Sequence, residues 1–210
     1  MNFFEKLGAT DGDHLTDSKT GTSASSGCSR PLKGPDAAYI PNIIVQTHDG
    51  RKALFHDDLL VGKKVLISSV STQDSSSFAI IENLAKVQPL IGGALGRQTF
   101  IYSITADPDN DTPQVLRSFA EKYGARDGWL FVTGVPTAIK LLRERLFNQS
   151  GHDCAMTLLR YGNPSVGLWG GIPAMANPES IVERLSWLEE GTPAGQVARR
   201  KGPPVLAFND

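Results

Sequence analysis

The stretch Lys64–Val70 reads KVLISSV, a short run of apolar and β-branched residues that is typical of a strand inside a sheet. A polar run, Ser71–Ser77, follows it directly, and apolar residues then recur at intervals of three and four from Phe78 to Leu95. This spacing predicts an amphipathic helix. A second unit of the same kind follows, with a strand over Thr99–Thr105 and a helix whose start is marked by Asp111-Thr112-Pro113.

The same alternation extends in both directions from these two units. Upstream, two short strands flank Asp49-Gly50, a pair that predicts the turn of a β-hairpin. Downstream, the patterns predict a strand over Trp129–Val132, a helix over Pro136–Phe147, a strand over Met156–Tyr161 and a helix from Asn177-Pro178 to Glu190. Strands that alternate with helices predict an α/β domain with a central, mainly parallel sheet, helices on both faces and an N-terminal β-hairpin.

Both ends of the chain differ in composition from this middle part. Residues 1–38 are rich in Ser, Thr, Gly and Asp, so they cannot bury enough apolar surface to offset the entropy of ordering. We therefore predict a disordered arm or linker there. Residues 191–210 carry several prolines, glycines and basic residues and are predicted to be a tail. The predicted domain spans residues 39–190.

Composition excludes several classes of function. The net charge of −1 provides no basic field for nucleic acid or for an anionic membrane surface. The two cysteines, Cys28 and Cys154, have neither C-x-x-C nor zinc-knuckle spacing, and we expect no disulfide between them.

The N-terminal residues Met1–Gly12 contain neither the apolar core of a signal peptide nor a membrane span. As written, the chain therefore reads as cytoplasmic.

Local motifs through the middle of the chain resemble the Sco/SenC family of copper chaperones, in family order across residues 41–188. They are Asp49-Gly50-Arg51, Asp57-Asp58-Leu59-Leu60, Asn83-Leu84, Lys86-Val87-Gln88, Asp107-Pro108, Asp111-Thr112-Pro113, Trp129-Leu130-Phe131, Arg160 with Gly162-Asn163, and Trp169 with Pro173-Ala174. The resemblance implies a thioredoxin-like fold and a link to respiratory-chain assembly. It also implies a protein that is usually exported or membrane-anchored, in contrast to the cytoplasmic reading.

The resemblance also implies a copper site of two cysteines in a C-x-x-x-C motif and one distal histidine, a ligand set that suits both Cu(I) and Cu(II). Counting back from the flanking motifs places the two cysteine positions at Gln73 and Ser77 and the histidine position at Ala155. In a gapped register His152 takes the histidine position instead. In either register the C-x-x-x-C motif is missing, so the chain resembles a degenerate member of the family with no copper and no other cofactor.

Five other features suggest a possible function. His152 and Cys154 alternate on a predicted strand and are the candidate residues for a metal or thiol site. The Ser71–Ser77 loop reads as a helix cap rather than an anion cradle, because it has no glycines. Asp107, Asp109 and Asp111 read as a turn and a helix cap rather than a calcium loop. Lastly, His48 and His56 read as exposed turn residues, and Gly167–Pro173 reads as an exposed docking loop.

The function predicted from these observations is a non-catalytic Sco-like domain, not an enzyme. It would act as a structural or interaction module with an unidentified protein partner, as an accessory subunit of a respiratory or copper-related assembly. The alternative is a metal-binding or thiol-redox protein, with copper as its metal, that uses a displaced site at His152 and Cys154. Neither reading involves nucleic acid.

Overall fold

The computed structural model describes residues 39–147 and 157–188. These residues form one seven-stranded sheet with strand order β2-β1-β5-β4-β3-β6-β7. The strands are β1 Ile44–Thr47, β2 Lys52–Leu54, β3 Lys64–Val70, β4 Thr99–Thr105, β5 Trp129–Gly134, β6 Leu158–Asn163 and β7 Leu168–Pro173. The helices are α1 Ser75–Ile91, α2 Pro113–Lys122, α3 Pro136–Phe147 and α4 Pro178–Ser186. A π-helix, Phe55–Leu60, lies between β2 and β3, and a 3₁₀ turn, Gly92–Ala94, follows α1.

The expected parallel arrangement is found in the middle of the sheet. Strand β4 lies between β3 and β5 and is parallel to both, with Leu66 opposite Ile101 and Tyr102 opposite Leu130. The other four pairings, β1 with β2 and β5, and β6 with β3 and β7, are antiparallel. The sheet is therefore mixed rather than mainly parallel as predicted, because the chain adds an antiparallel hairpin at each edge. The α/β, thioredoxin-like fold class is confirmed.

Two apolar layers cover the sheet. On one face, residues of α1, α2 and α4, among them Leu84, Leu116 and Ile181, pack against Leu66 and Val70 of β3. On the other face, α3 and the π-helix cover residues that alternate with those, including Val65 and Ile67 of β3. Burial on both faces explains why β3 reads as a continuous apolar run.

The N-terminal hairpin has the turn that its sequence predicts. Gly50 has φ +89, which only glycine adopts without strain, and its N–H donates to the carbonyl of Thr47 at 2.8 Å. His48, two residues before Gly50, is half-buried rather than an exposed turn residue, and its Nδ1 accepts from the N–H of Phe131 at 3.2 Å. His56 is also not exposed: it is fully buried in the π-helix, with Nδ1 2.9 Å from Asp57 Oδ1.

We expect His48 to make folding depend on pH in the range below neutrality. Burial lowers the pKa of His48 from 6.5, so the folded protein favours the neutral ring and the unfolded chain binds protons more readily. The contribution of His48 is therefore present above pH 6.5 and is lost as the pH falls through its lower folded pKa. Urea unfolding at several pH values should show a smaller loss of stability on acidification for His48→Gln than for the unmodified protein. Equal losses would contradict this.

The prediction of an exposed docking loop at Gly167–Pro173 is wrong. Most of this stretch is strand β7, which pairs with β6 along its whole length. One glycine in each of these two strands makes room for an aromatic ring on the other strand. A Cβ at Gly162 would lie 2.3 Å from the ring of Trp169 on the paired strand, and a Cβ at Gly170 would lie 2.4 Å from the ring of Tyr161. The glycine content that suggests a loop in the sequence therefore reflects cross-strand packing.

Several predictions lie outside the described residues: the arm 1–38, the tail 191–210, and His152, Cys154 and Ala155. Within the described ranges, no helix is long and apolar enough to cross a membrane.

Candidate functional site

Of the two candidate cysteine positions, Gln73 lies in the loop that joins β3 to α1 and Ser77 lies in the first turn of α1, both at the carboxyl end of the parallel strands. This edge is where α/β sheets commonly bind ligands. The helix begins with a side-chain cap, since Asp74 Oδ1 accepts from the N–H of Ser76 at 2.9 Å. The predicted helix cap is therefore confirmed, and Asp74 occupies the N-terminal end of α1.

Gln73 and Ser77 both contact Ser71, the first residue of the loop. Ser77 is fully buried, and its Oγ accepts from the N–H of Ser71 at 2.8 Å. Gln73 is exposed, and its N–H donates to Ser71 Oγ at 3.3 Å. The loop thus folds back on itself and places one exposed and one buried position beside the same residue.

The buried hydroxyl of Ser77 should stabilise this loop measurably. In Ser77→Ala the N–H of Ser71 loses its partner in a buried place, which typically costs about 1–3 kcal/mol in the free energy of unfolding. Ser75→Ala is the matched control: Ser75 is exposed at the first position of the same helix, and its replacement should change stability by about 0.5 kcal/mol or less. Denaturant unfolding of both variants checks the prediction, which fails if their stabilities are the same.

Asp111 connects the loop to the rest of the domain through hydrogen bonds. Its side chain is fully buried and accepts hydrogen bonds from the hydroxyls of Thr72 in the loop and Thr105 at the end of β4. The N–H of Thr72 also points to it, at 3.4 Å. The helix cap is provided by the next residue, Thr112, whose Oγ1 accepts from the N–H of Val115. Asp111 therefore acts as a buried anchor.

The three aspartates do not converge on one centre. The carbonyl of Asp107 accepts from the N–H groups of Asn110 and Asp111, which forms the turn, while Asp109 is exposed. In the part of the chain that the structure describes, no group of three His, Cys, Asp or Glu side chains is placed to hold a metal ion. The predicted turn is confirmed, whereas the predicted cap by an aspartate is wrong, because Thr112 caps the helix.

The donor set at positions 73 and 77 does not fit copper. Cu(I) prefers thiolate, thioether and imidazole ligands, whereas these positions offer an exposed amide and a hydroxyl that is already hydrogen-bonded inside the protein. The third position, Ala155 or His152, lies outside the described residues. No copper-dependent step can be derived from the described part of this site.

Comparison with known proteins agrees with this geometry. The SCO1/SenC family model matches residues 78–151, from the first turn of α1 to beyond α3. No curated protein matches the chain. The family match begins one residue after Ser77, so it covers neither of the two candidate cysteine positions. The SCO1/SenC family model thus matches this middle range of the chain, and the resemblance seen in the sequence is confirmed.

Solved structures of the family share the fold. A SCO1/SenC family lipoprotein from Bacillus anthracis is 19% identical, with a TM-score of 0.60, covering 78% of this chain and 100% of its own. BsSco, a member of the Sco family of cytochrome c oxidase assembly proteins, is 19% identical, with a TM-score of 0.57 and coverages of 69% and 89%. Yeast Sco1 with copper bound is 16% identical, with a TM-score of 0.56 and coverages of 73% and 94%.

Proposed function

We propose that this chain is a Sco-like domain that does not carry copper at the family's position and acts as a structural or interaction module. The observation that carries the proposal is Ser77: a hydroxyl is fully buried where the resemblance places a thiol, and it is used to hold the loop. A side chain that supports the loop in this way favours a structural role for position 77 over a role in metal binding.

The relatives support a proposal for the kind of assembly. BsSco belongs to a family of cytochrome c oxidase assembly proteins, and a disulfide switch is described for it. The chain studied here has neither cysteine of a C-x-x-x-C motif, so a switch of that kind has no sulfur at Gln73 or Ser77. We propose that the chain takes part in the assembly of a respiratory, copper-containing complex through protein contacts.

The experiment is a quantitative co-purification from the source cell. The full chain, tagged and expressed at its natural level, should enrich subunits or assembly factors of a terminal oxidase, and copper depletion of the cells should leave this enrichment unchanged. The two single variants Gln73→Ala and Ser77→Cys should also leave this enrichment unchanged. Enrichment that disappears on copper depletion would contradict an interaction that is independent of copper, and absence of all oxidase components would contradict the assembly role.

The rival function is a metal or thiol site built on His152 and Cys154, two ligand types that suit copper. Its support is limited to their alternation in the sequence. The variants His152→Ala and Cys154→Ser separate the two functions, because only the rival predicts that either change alters oxidase assembly in cells.

A further inference from the structure

Within residues 39–147 and 157–188, the sheet face that α2 packs on is only partly covered. Phe119 of α2 contacts Phe131 of β5 on this face, with ring centroids 5.8 Å apart. Strand β1 is the next strand of the sheet and presents Ile44 to the same face, since the alternating residue Val45 packs in the layer under α3. The side chain of Ile44 is 64% exposed. Helix α2 therefore covers β5 but leaves this part of β1 open.

A groove of about 480 Å³ lies between this open face and the start of α2. Ile44 and Val135 line it from the sheet, and Pro113, the first residue of α2, lines it from the helix. Ile44 and Val135 are neighbours, because the adjoining residues Val45 and Gly134 are paired. Val135 is 62% exposed, nearly as much as Ile44. Two exposed aliphatic side chains next to each other form a surface that an apolar segment can cover favourably.

The charge of the groove restricts what it can bind. Among the described residues that line it, Lys52 of β2 is the one with a charged side chain. Lys52 is exposed and takes part in none of the ion pairs seen among residues 39–147 and 157–188. The groove therefore fits an apolar segment that also carries a carboxylate.

The first residues of the chain have this composition. Phe3 and Phe4 are the only aromatic residues of the sequence before Tyr39, and Glu5 and Leu7 follow them closely. In an extended segment Phe3, Glu5 and Leu7 share one side, so a carboxylate lies between two apolar side chains. This pattern matches a groove that is apolar and has one cation.

The start of the described chain brings this segment within reach of the groove. The described chain starts at Tyr39, five residues before Ile44, so at most about 18 Å separate the two. Residues 8–38 are rich in Ser, Thr and Gly, and a flexible linker of this length has a root-mean-square end-to-end distance of about 30 Å. The linker can therefore return the segment to the groove.

The C-terminal tail is a poorer match. It starts at the opposite end of the parallel strands, where Asn163 Nδ2 donates to the carbonyl of Leu188 at 3.2 Å. It also carries Arg199-Arg200-Lys201 before its apolar run Val205–Phe208, and these cations would repel Lys52.

We propose that the segment Phe3–Leu7 docks in the groove between β1 and α2 of its own chain. Its apolar side chains cover Ile44 and Val135, and its Glu5 pairs with Lys52. Because the linker holds the segment at a high effective concentration, weak contacts are enough to keep it in place. Docking requires neither copper nor a partner protein, so its test is independent of the co-purification experiment.

The test uses ¹H–¹³C spectra of the methyl groups in the purified full chain. The double variant Phe3→Ala and Phe4→Ala should lower the docking equilibrium constant by about tenfold or more, because the burial of the aromatic side chains is lost. The methyl signals of Ile44 and Val135 should shift accordingly, since the ring currents disappear. Leu15→Ala, a change elsewhere in the arm, is the matched control and should shift neither signal.

A charge reversal tests the register of the docked segment. Glu5→Lys and Lys52→Glu should each move the signals of Ile44 and Val135 toward their undocked positions, and the two changes together should restore the docked positions. The proposal is overturned if the double change does not restore them, or if the phenylalanine variant leaves both signals unchanged. It is also overturned if the signals move on tenfold dilution, which indicates the arm of a second copy. Shifts caused instead by removal of Val205–Phe208 would identify the tail as the occupant and overturn it as well.

Discussion

The triple change Gln73→Cys, Ser77→Cys and Ala155→His is expected to create a site that binds one Cu(I) ion per chain. The structure places positions 73 and 77 beside the same residue, Ser71, one in the loop and one in the first turn of α1. Two thiolates there, with an imidazole from the third position, give the soft ligand set that Cu(I) prefers. Competition with a chromogenic Cu(I) chelator measures the gain.

Two further variants make this result specific. Gln73→Cys with Ser77→Cys, without the change at Ala155, tests the register of the histidine: if His152 takes that position, adding Ala155→His brings no further affinity. Gln73→Cys with Ser76→Cys is the matched control, since Ser76 is exposed on the helix and its thiol would face solvent. Equal copper binding by this control and by the pair at 73 and 77 would show that the scaffold does not present those two positions.

Asp111→Ala is expected to lower the free energy of unfolding by about 3 kcal/mol, because it leaves the half-buried hydroxyl of Thr72 and the buried hydroxyl of Thr105 without their acceptor. The loop should also open locally, so the amide of Thr72 should exchange faster with solvent than in the unmodified protein. Denaturant unfolding and amide hydrogen exchange measure the two effects separately.

Asp109→Ala is the control for Asp111→Ala. Asp109 belongs to the same turn but is exposed, so its loss should change stability by about 0.5 kcal/mol or less. Asp111→Asn should fall between the two, because its amide oxygen still accepts one hydrogen bond. If Asp111→Ala is as stable as Asp109→Ala and leaves exchange at Thr72 unchanged, Asp111 is not the anchor of the loop.

The central elements could be predicted from sequence because their signals are local. The strand over Thr99–Thr105 and the helix over Pro136–Phe147 have the predicted bounds, since a β-branched run and an initial proline each mark an element without help from distant residues. The strands at the edges of the sheet were harder to predict from sequence. The glycines of β7 resemble loop residues until their cross-strand neighbours, Tyr161 and Leu158, are known.

The candidate site was only partly predictable for a similar reason. The missing cysteines and a helix cap within Ser71–Ser77 can be seen in the sequence, but the identity of the capping residue, Asp74, comes from the structure. The role of Asp111 cannot be seen in the sequence, because its partner Thr72 lies 39 residues away and only the fold brings them together. The burial of His56 depends in the same way on tertiary packing: the π-helix that turns it inward is held by Asn42, whose Oδ1 accepts from the N–H of His56 at 3.1 Å.

The central claim, that this Sco-like scaffold does not carry copper, is tested most directly on the unmodified full chain. Reduced, purified protein is loaded with Cu(I) and then challenged with a chelator of modest affinity. An amide at Gln73 and an engaged hydroxyl at Ser77 cannot hold the ion, so we expect the chelator to remove all copper. Retention of one Cu(I) per chain, abolished by His152→Ala or Cys154→Ser, would contradict this account and support the rival site.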